Sequence, residues 1–433
     1  MAIQALLTIL GVMLVLLFLG VPISYSIGIS SLSAILAVVP LDVAVLTAAQ
    51  RTFVGMSKFS LTAIPFFILA GNIMNQGGIA KRLVNFMLAI LGKVPGALLV
   101  TNVGTNALFG AISGSASAAA AAVGSMIRDG AEEQGYDPAI TAATNAASAP
   151  AGLLIPPSNA LITYSLASGG TSVAALFMAG YVPGIIWALC CAIVGIILAK
   201  KMGYKGTPGK FNWKNLGIST LQALPSLSLI VVVIGGIVGG IFSATEGSAI
   251  AVVYSLILAF CYKSIDLKGL WKIIVDSAKM SGMIVFLIGV SNILGWVMAF
   301  MQIPDAVAGA LLGLTNNKYV ILLIMNVILL VSGTFMDVTP AILIFTPLFL
   351  PICQSFGMST IQFGLILVYN LCIGNITPPV GNTLFVGIKI GRTTLGKVMP
   401  YMLMYYVAII AGLLLITYIP GVSLILPQLA GLA

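Results

Sequence analysis

The residues of this chain that could do chemistry are few, and they gather in four short stretches. Two are rich in small hydroxyl residues: Ser113-Gly114-Ser115-Ala116-Ser117, and Ser332-Gly333-Thr334 followed closely by Asp337. Two are proline interruptions: Ala149-Pro150-Ala151-Gly152 running on to Ile155-Pro156-Pro157-Ser158-Asn159, and Gly374-Asn375-Ile376-Thr377-Pro378-Pro379-Val380-Gly381-Asn382. The chain has no histidine, which excludes His-based acid–base catalysis and His-ligated zinc or haem. It has no GxSxG and no paired acids in its apolar segments, so an intramembrane enzyme is disfavoured. Its five cysteines (190, 191, 261, 353 and 372) lie in apolar runs without CxxC spacing and read as buried packing. The four stretches offer hydroxyls, one carboxylate and exposed backbone. Proline lacks an N–H and disfavours helix at the residue before it, so a Pro-Pro pair breaks a helix. The half-helix C-terminus left behind presents carbonyl oxygens, which suit a small hard cation such as sodium. The half-helix N-terminus presents N–H groups, which suit a carboxylate.

The elements that position these residues must lie in a membrane. Only 7% of the 433 residues are charged and 60% are hydrophobic, too few charges for a soluble surface. Mean hydropathy is +1.15. The net charge of +9 fits loop lysines on the inner face better than nucleic-acid binding. The N-terminal apolar run has no preceding Lys or Arg, so the first span is expected to stay in the mature protein. Apolar segments fall near 3–20, 22–40, 59–77, 97–112, 116–127, 138–168, 175–199, 222–241, 243–262, 280–302, 318–333, 338–354, 361–391 and 399–419. The pairs 97–112/116–127 and 318–333/338–354 are too short for two full crossings each and read as re-entrant hairpins. Segments 138–168 and 361–391 read as discontinuous helices with unwound centres at 149–159 and 374–382.

Ten crossings and two hairpins put three basic clusters on one, cytoplasmic, side: Lys200, Lys201, Lys205, Lys210 and Lys214; Lys263, Lys268, Lys272 and Lys279; and Lys389, Arg392 and Lys397. Both termini then fall outside. The hairpin 97–127 enters from the cytoplasm and 318–354 from the opposite side. The mixed cluster Arg128, Asp129, Glu132, Glu133 and Asp137 reads as a solvated cytoplasmic turn. Glu246 is read as the cap of the helix opening beside it, or as a functional acid. Asp337 has two readings: contact with cation or substrate, because an acid at membrane depth is costly, or a capping role beside Thr339-Pro340. The serines of 113–117 are likewise either ligands or small residues that let helices approach.

The chain also repeats itself. Pro156-Pro157 and Pro378-Pro379 are 222 residues apart, and Gly169 and Thr171 match Gly391 and Thr393 at that offset. Ser113-Gly114-Ser115 matches Ser332-Gly333-Thr334 at 219, and Phe66, Asn72 and Ile73 match Phe286, Asn292 and Ile293 at 220. We read a duplication of 1–210 onto 221–420. Each half has five crossings and one hairpin. The odd number turns the second copy upside down, giving an all-α polytopic protein of inverted-topology repeats with scaffold and transport parts interleaved.

Segments 63–83 (AIPFFILAGNIMNQGGIAKRL), 109–127 (FGAISGSASAAAAAVGSMI), 155–184 (IPPSNALITYSLASGGTSVAALFMAGYVPG), 332–352 (SGTFMDVTPAILIFTPLFLPI) and 376–391 (ITPPVGNTLFVGIKIG) together resemble the large membrane subunit of the tripartite ATP-independent periplasmic (TRAP) transporters. One departure is Ser243-Ala244-Thr245-Glu246-Gly247, where TPTEA is the commoner form. The resemblance implies a sodium-driven symporter of organic acids such as sialic acid or a dicarboxylate in a bacterial inner membrane, with an elevator mechanism. It implies two partners, a small four-helix membrane subunit, expected as a separate chain, and a periplasmic binding protein. Carried over by motif, Ser113, Gly114, Ser115 and Ser117 with the break from Ala149 through Gly152 to Ser158 would hold one sodium. Gly333 and Asp337 with Gly374–Thr377 would hold the other. The substrate carboxylate would lie between the tips, near Ser115, Ser117, Ser158 and Asp337. The alternative is a stand-alone sodium/anion symporter with the same sites and no partners.

Overall fold

The computed structural model describes residues 2–206, 212–315 and 317–432, so Lys210 of the first basic cluster lies outside the described residues. Every regular element among the described residues is helical, because an apolar chain in lipid must satisfy its backbone internally. The first half runs α1 (Ala2–Phe18), α2 (Ile23–Ile35), α3 (Leu41–Met56), α4 (Ala63–Gln76), α5 (Ile79–Leu91), α6 (Ala97–Ser113), α7 (Ala116–Glu133), α8 (Pro138–Ser148), α9 (Ala151–Leu154), α10 (Asn159–Ala167) and α11 (Val173–Met202). The second runs α12 (Trp213–Val238), α13 (Ala244–Cys261), α14 (Leu267–Phe300), α15 (Ile303–Leu314), α16 (Lys318–Gly333), α17 (Val338–Ser355), α18 (Thr360–Gly374), α19 (Asn382–Ile390), α20 (Leu395–Tyr418) and α21 (Pro420–Leu429).

The two halves keep a common spacing. α7 runs from Ala116 to Glu133 and α17 from Val338 to Ser355, displaced by 222 residues at both ends. The starts of α8 and α18 and of α11 and α20 keep the same interval. Packing follows the same exchange. α19 lies against α7 and α8, while α10 lies against α17 and α18. Where the interrupted helices cross, the Cys372 thiol faces the Pro150 carbonyl at 3.9 Å, and these two positions are themselves 222 residues apart. Side chains at the centre are fully buried, among them Trp187, Tyr164, Tyr369 and Tyr405. Their polar atoms find partners, as when Tyr405 Oη meets Thr144 Oγ1 at 2.7 Å.

Several expectations change. Helices α3, α5, α15 and α21 lie outside the apolar segments read from the sequence. The first three carry charges (Asp42, Arg51, Lys81, Arg82, Asp305) that lower their hydropathy. Lys268, Lys272 and Lys279 are not in a loop: they lie on the first half of the 34-residue α14. Among the described residues, six helices are individually long and apolar enough to span, and up to eight if each of two bent pairs is one span; one of the six is α17, an arm of the second hairpin. Other expected crossings fall short of a lone span's length. α1 and α2 have 17 and 13 residues, below the ~20 needed, and the interrupted spans are divided. The first interruption is also shorter than expected. Ala149 and Pro150 keep right-handed helical geometry and lead into the turn α9, so unwinding begins only at Ile155. Proline is tolerated at the start of a helical turn, where its missing N–H is not needed. Lastly, the cluster 128–137 is only partly solvated. Arg128 donates to Asp129 at 2.6 Å and to the Ile390 carbonyl at 3.4 Å. Asp137 caps α8 through the Ala139 N–H and accepts from Tyr401.

Candidate ion and substrate site

The first hairpin turns where Gly114 adopts φ +63°, a conformation only glycine takes freely, and so ends α6 at Ser113. Ser115 then caps α7, its Oγ accepting the Ala118 N–H at 3.3 Å. Ser115 Oγ and Ser117 Oγ are 3.2 Å apart. The tip is pressed between α4 and the interruption. A Cβ on Gly71 would lie 2.6 Å from the Ser113 carbonyl, and one on Gly114 would lie 2.7 Å from Asn159 Nδ2.

One turn back, α6 meets the interrupted helix backbone to backbone. A Cβ on Gly152 would stand 2.2 Å from Gly110 Cα. Ala149 contributes a carbonyl that receives a long 3.4 Å bond from the Gly152 N–H. Gly180 and Gly184 of α11 let this helix press on Leu154 and Ile155. Trp187 Nε1 donates to the Ala147 carbonyl at 2.8 Å. Ser158 is fully buried and caps α10: its hydroxyl donates to the Leu153 carbonyl and accepts the Leu161 N–H. Its proton and one of its two lone pairs are thus spent locally.

The second unit repeats the plan with different side chains. α16 ends at Gly333, and the longer tip 334–337 leads to Asp337, which stands at the N-cap of α17 with no side-chain cap bond. Asp337 is solvent-exposed. The Asn382 side chain, at the start of α19, lies beside it. The tip is tied to the interruption by the Val380 N–H donating to the Thr334 carbonyl at 3.2 Å. A Cβ on Gly374 would lie 2.3 Å from the Gly333 carbonyl carbon. Within the interruption Thr377 Oγ1 donates to the Ile373 carbonyl at 2.7 Å, and Tyr406 of α20 donates to the Ile376 carbonyl at 2.6 Å. Glu246 forms a capping box with Ser243 at the start of α13.

The structure thus sets the first tip and its arm against the interrupted helix at Gly114–Asn159 and Gly110–Gly152, and the second at Gly333–Gly374 and Thr334–Val380. The sequence reading missed Gly110 and the buried amides Asn102, Asn106, Asn145, Asn326 and Asn370. The i, i+4 spacing of Asn102 and Asn106 inside an apolar run was the available signal, since an amide in a span requires a partner. Chemically, each unit can offer backbone carbonyls and hydroxyls to a small cation, with one carboxylate at the second tip.

An all-helical membrane protein built around two hairpin tips facing two interrupted helices belongs to the class of secondary transporters. Residues 10–422 match the family described as "Tripartite ATP-independent periplasmic transporter, DctM component", and the chain belongs to that family, the large membrane subunits of TRAP transporters. It is 50% identical to the uncharacterized protein YgiK of Salmonella typhimurium, over 97% of this chain and 96% of that one. It is 38% identical to the isethionate TRAP transporter permease protein DctMQ of Oleidesulfovibrio alaskensis, over 94% of this chain and 64% of that longer one. It is 35% identical to the C4-dicarboxylate TRAP transporter large permease protein DctM of Rhodobacter capsulatus, over 98% and 99%. Among solved structures it is similar to the YdaH transporter of Alcanivorax borkumensis at a TM-score of 0.55 and 14% identity, over 83% of this chain and 85% of that one, a likeness of fold alone.

Proposed function

We propose that this chain is the permease of a sodium-coupled symporter that carries a small organic acid across the bacterial inner membrane. A periplasmic binding protein delivers the substrate, and a small membrane subunit completes the assembly. The observation that carries the reading is the doubled tip-and-interruption unit, with Gly110 on Gly152 in one half and Gly333 on Gly374 in the other. Each unit has the donor chemistry for one sodium, which gives two sites: Ser113, Gly114, Ser115, Ala149 and Gly152 at the first, and Gly333, Gly374 and Thr377 at the second. Ser115, Ser117 and Asp337 hold the substrate. The names of relatives support an anionic substrate, since isethionate and C4-dicarboxylates are both acids. The two halves are inverted repeats, and the hairpins and interrupted helices move as one elevator body, with both termini periplasmic. The test is uptake of radiolabelled acids by proteoliposomes holding the permease and its small subunit, with binding protein outside. Uptake that requires both the binding protein and an inward sodium gradient supports the reading. Uptake that persists without sodium refutes the coupling, and uptake without the binding protein refutes the tripartite assembly.

A further inference from the structure

One turn from each glycine contact lies a buried amide that ties hairpin to interrupted helix. In the first half Asn106 of α6, fully buried, places Nδ2 2.8 Å from Ser148 Oγ and 3.0 Å from Asn145 Oδ1, both on α8. The same nitrogen is 2.8 Å from Asn102 Oδ1 on its own helix. Asn145 in turn donates to the Ala120 carbonyl of α7 at 2.8 Å, so both hairpin arms are joined to the interrupted helix. Gly124 makes room for that amide: a Cβ there would lie 2.2 Å from Asn145 Nδ2. In the second half Asn370 of α18 donates to Asn326 Oδ1 of α16 at 2.8 Å, and Asn326 donates to Thr417 Oγ1 of α20 at 3.1 Å. Ser148 and Asn370 occupy corresponding positions, 222 residues apart. Three of the four clasp residues keep one spacing to their glycines, while Asn326 precedes Gly333 by seven residues, two turns. Asn106 precedes Gly110, Ser148 precedes Gly152, and Asn370 precedes Gly374 by four residues, one helical turn on the same face.

An apolar seam can slide by small steps, but breaking these amide bonds would strand further buried polar atoms beside Asn106 Oδ1 and Asn370 Oδ1, which already lack a partner, and that carries a penalty. Each clasp therefore admits one register of arm against interrupted helix. Because clasp and glycine contact share a face one turn apart, that register also fixes the carbonyls and hydroxyls beyond the glycines. We infer that Asn106 and Asn370 are positioning residues for sodium binding, one in each half, which touch neither ion nor substrate. The inference rests on the sodium-coupled reading above.

The test is thermal melting of the purified permease in sodium chloride against choline chloride, for the wild type, Asn106→Leu and Asn370→Leu. Ser255→Ala serves as control, since that hydroxyl bonds only along its own helix, to the Ala251 carbonyl. Wild type and control should be stabilised by sodium at the same concentrations. The leucine variants should need about tenfold more sodium for the same stabilisation. In proteoliposomes their half-saturating sodium should rise while the rate at saturating sodium is kept. A lower melting temperature with unchanged half-saturating sodium would show packing only and overturn the inference alone. Absence of sodium stabilisation in the wild type would overturn the sodium reading and this inference with it. Should the leucine variants not fold, Asn106→Ser and Asn370→Ser, which keep a hydroxyl in the clasp, carry the same comparison.

Discussion

Gly374 and Gly333 touch, yet they should tolerate a methyl group very differently. A Cβ on Gly374 would stand 2.3 Å from the Gly333 carbonyl carbon and 2.5 Å from its Cα and oxygen, all backbone that no rotamer can clear. Restoring ordinary contact, which begins near 3.4 Å, moves tip and interruption apart by roughly 1 Å. Metal ligands hold position to about 0.2 Å, so a shift of that size removes carbonyls from a cation's reach. A Cβ on Gly333 meets its nearest atom, Gly374 Cα, at 3.2 Å, and a movement of a few tenths of an ångström accommodates it. Stability is a poor readout here. Overpacking costs about 1–3 kcal/mol, but Gly→Ala in a helix returns up to about 1 kcal/mol of propensity. Sodium-driven uptake in proteoliposomes is the right assay. Gly374→Ala should lower it about a hundredfold, the scale of a 1 Å misplacement at a reacting centre, while Gly333→Ala stays within a few-fold of wild type. Equal rates for the two variants, or a fully active Gly374→Ala, would refute the idea that this contact shapes a binding site.

The first half should behave in parallel: Gly152→Ala, 2.2 Å from Gly110 Cα, should cost more uptake than Gly110→Ala, whose nearest approach is 2.8 Å. Asp337→Asn should leave the melting temperature unchanged, because the carboxylate makes no cap bond and Asn caps as well as Asp. Uptake should fall at least tenfold, the scale set by losing one charged contact to ion or substrate; unchanged uptake would leave Asp337 with no part in binding. Glu246→Gln should do the reverse, with a small loss of thermal stability from the weakened capping box and normal transport. Cys261, exposed at the end of α13 next to the basic cluster, should react with a membrane-impermeant maleimide in inside-out vesicles and not in intact cells. Labelling of intact cells would reverse the proposed orientation. The buried Cys191, Cys353 and Cys372 should stay unlabelled in both.

The most legible features of the sequence were those whose chemistry is local. Paired prolines cannot continue a helix and Gly114 between two serines turns one, so the first tip and the second interruption stand where the residues put them, whereas the second tip turns at 334–337 with no left-handed glycine. The 222-residue spacing was equally plain, because it needs only a comparison of the chain with itself. What escaped notice depends on partners distant in sequence. Arg82 makes α5 look like a loop until its guanidinium is seen over the Tyr262 ring at 3.3 Å. Asn106 reads as a misplaced polar residue until α8 brings Asn145 and Ser148 beside it. Ser158 stands in the interruption as read, but its bonds to the Leu153 carbonyl and the Leu161 N–H need the folded turn to be seen. Ala149 was placed in unwound chain by the proline after it, but a proline that opens a new turn does not unwind the one before.

The central claim is that each tip-and-interruption unit forms one sodium site. Initial uptake by the reconstituted tripartite system, titrated with sodium at constant ionic strength and saturating substrate-loaded binding protein, tests it most directly. Two coupled sites predict a sigmoidal sodium dependence with choline and potassium inactive, and a right-shifted curve in both Gly152→Ala and Gly374→Ala. Uptake that is hyperbolic in sodium, or that proceeds equally in potassium, would contradict it.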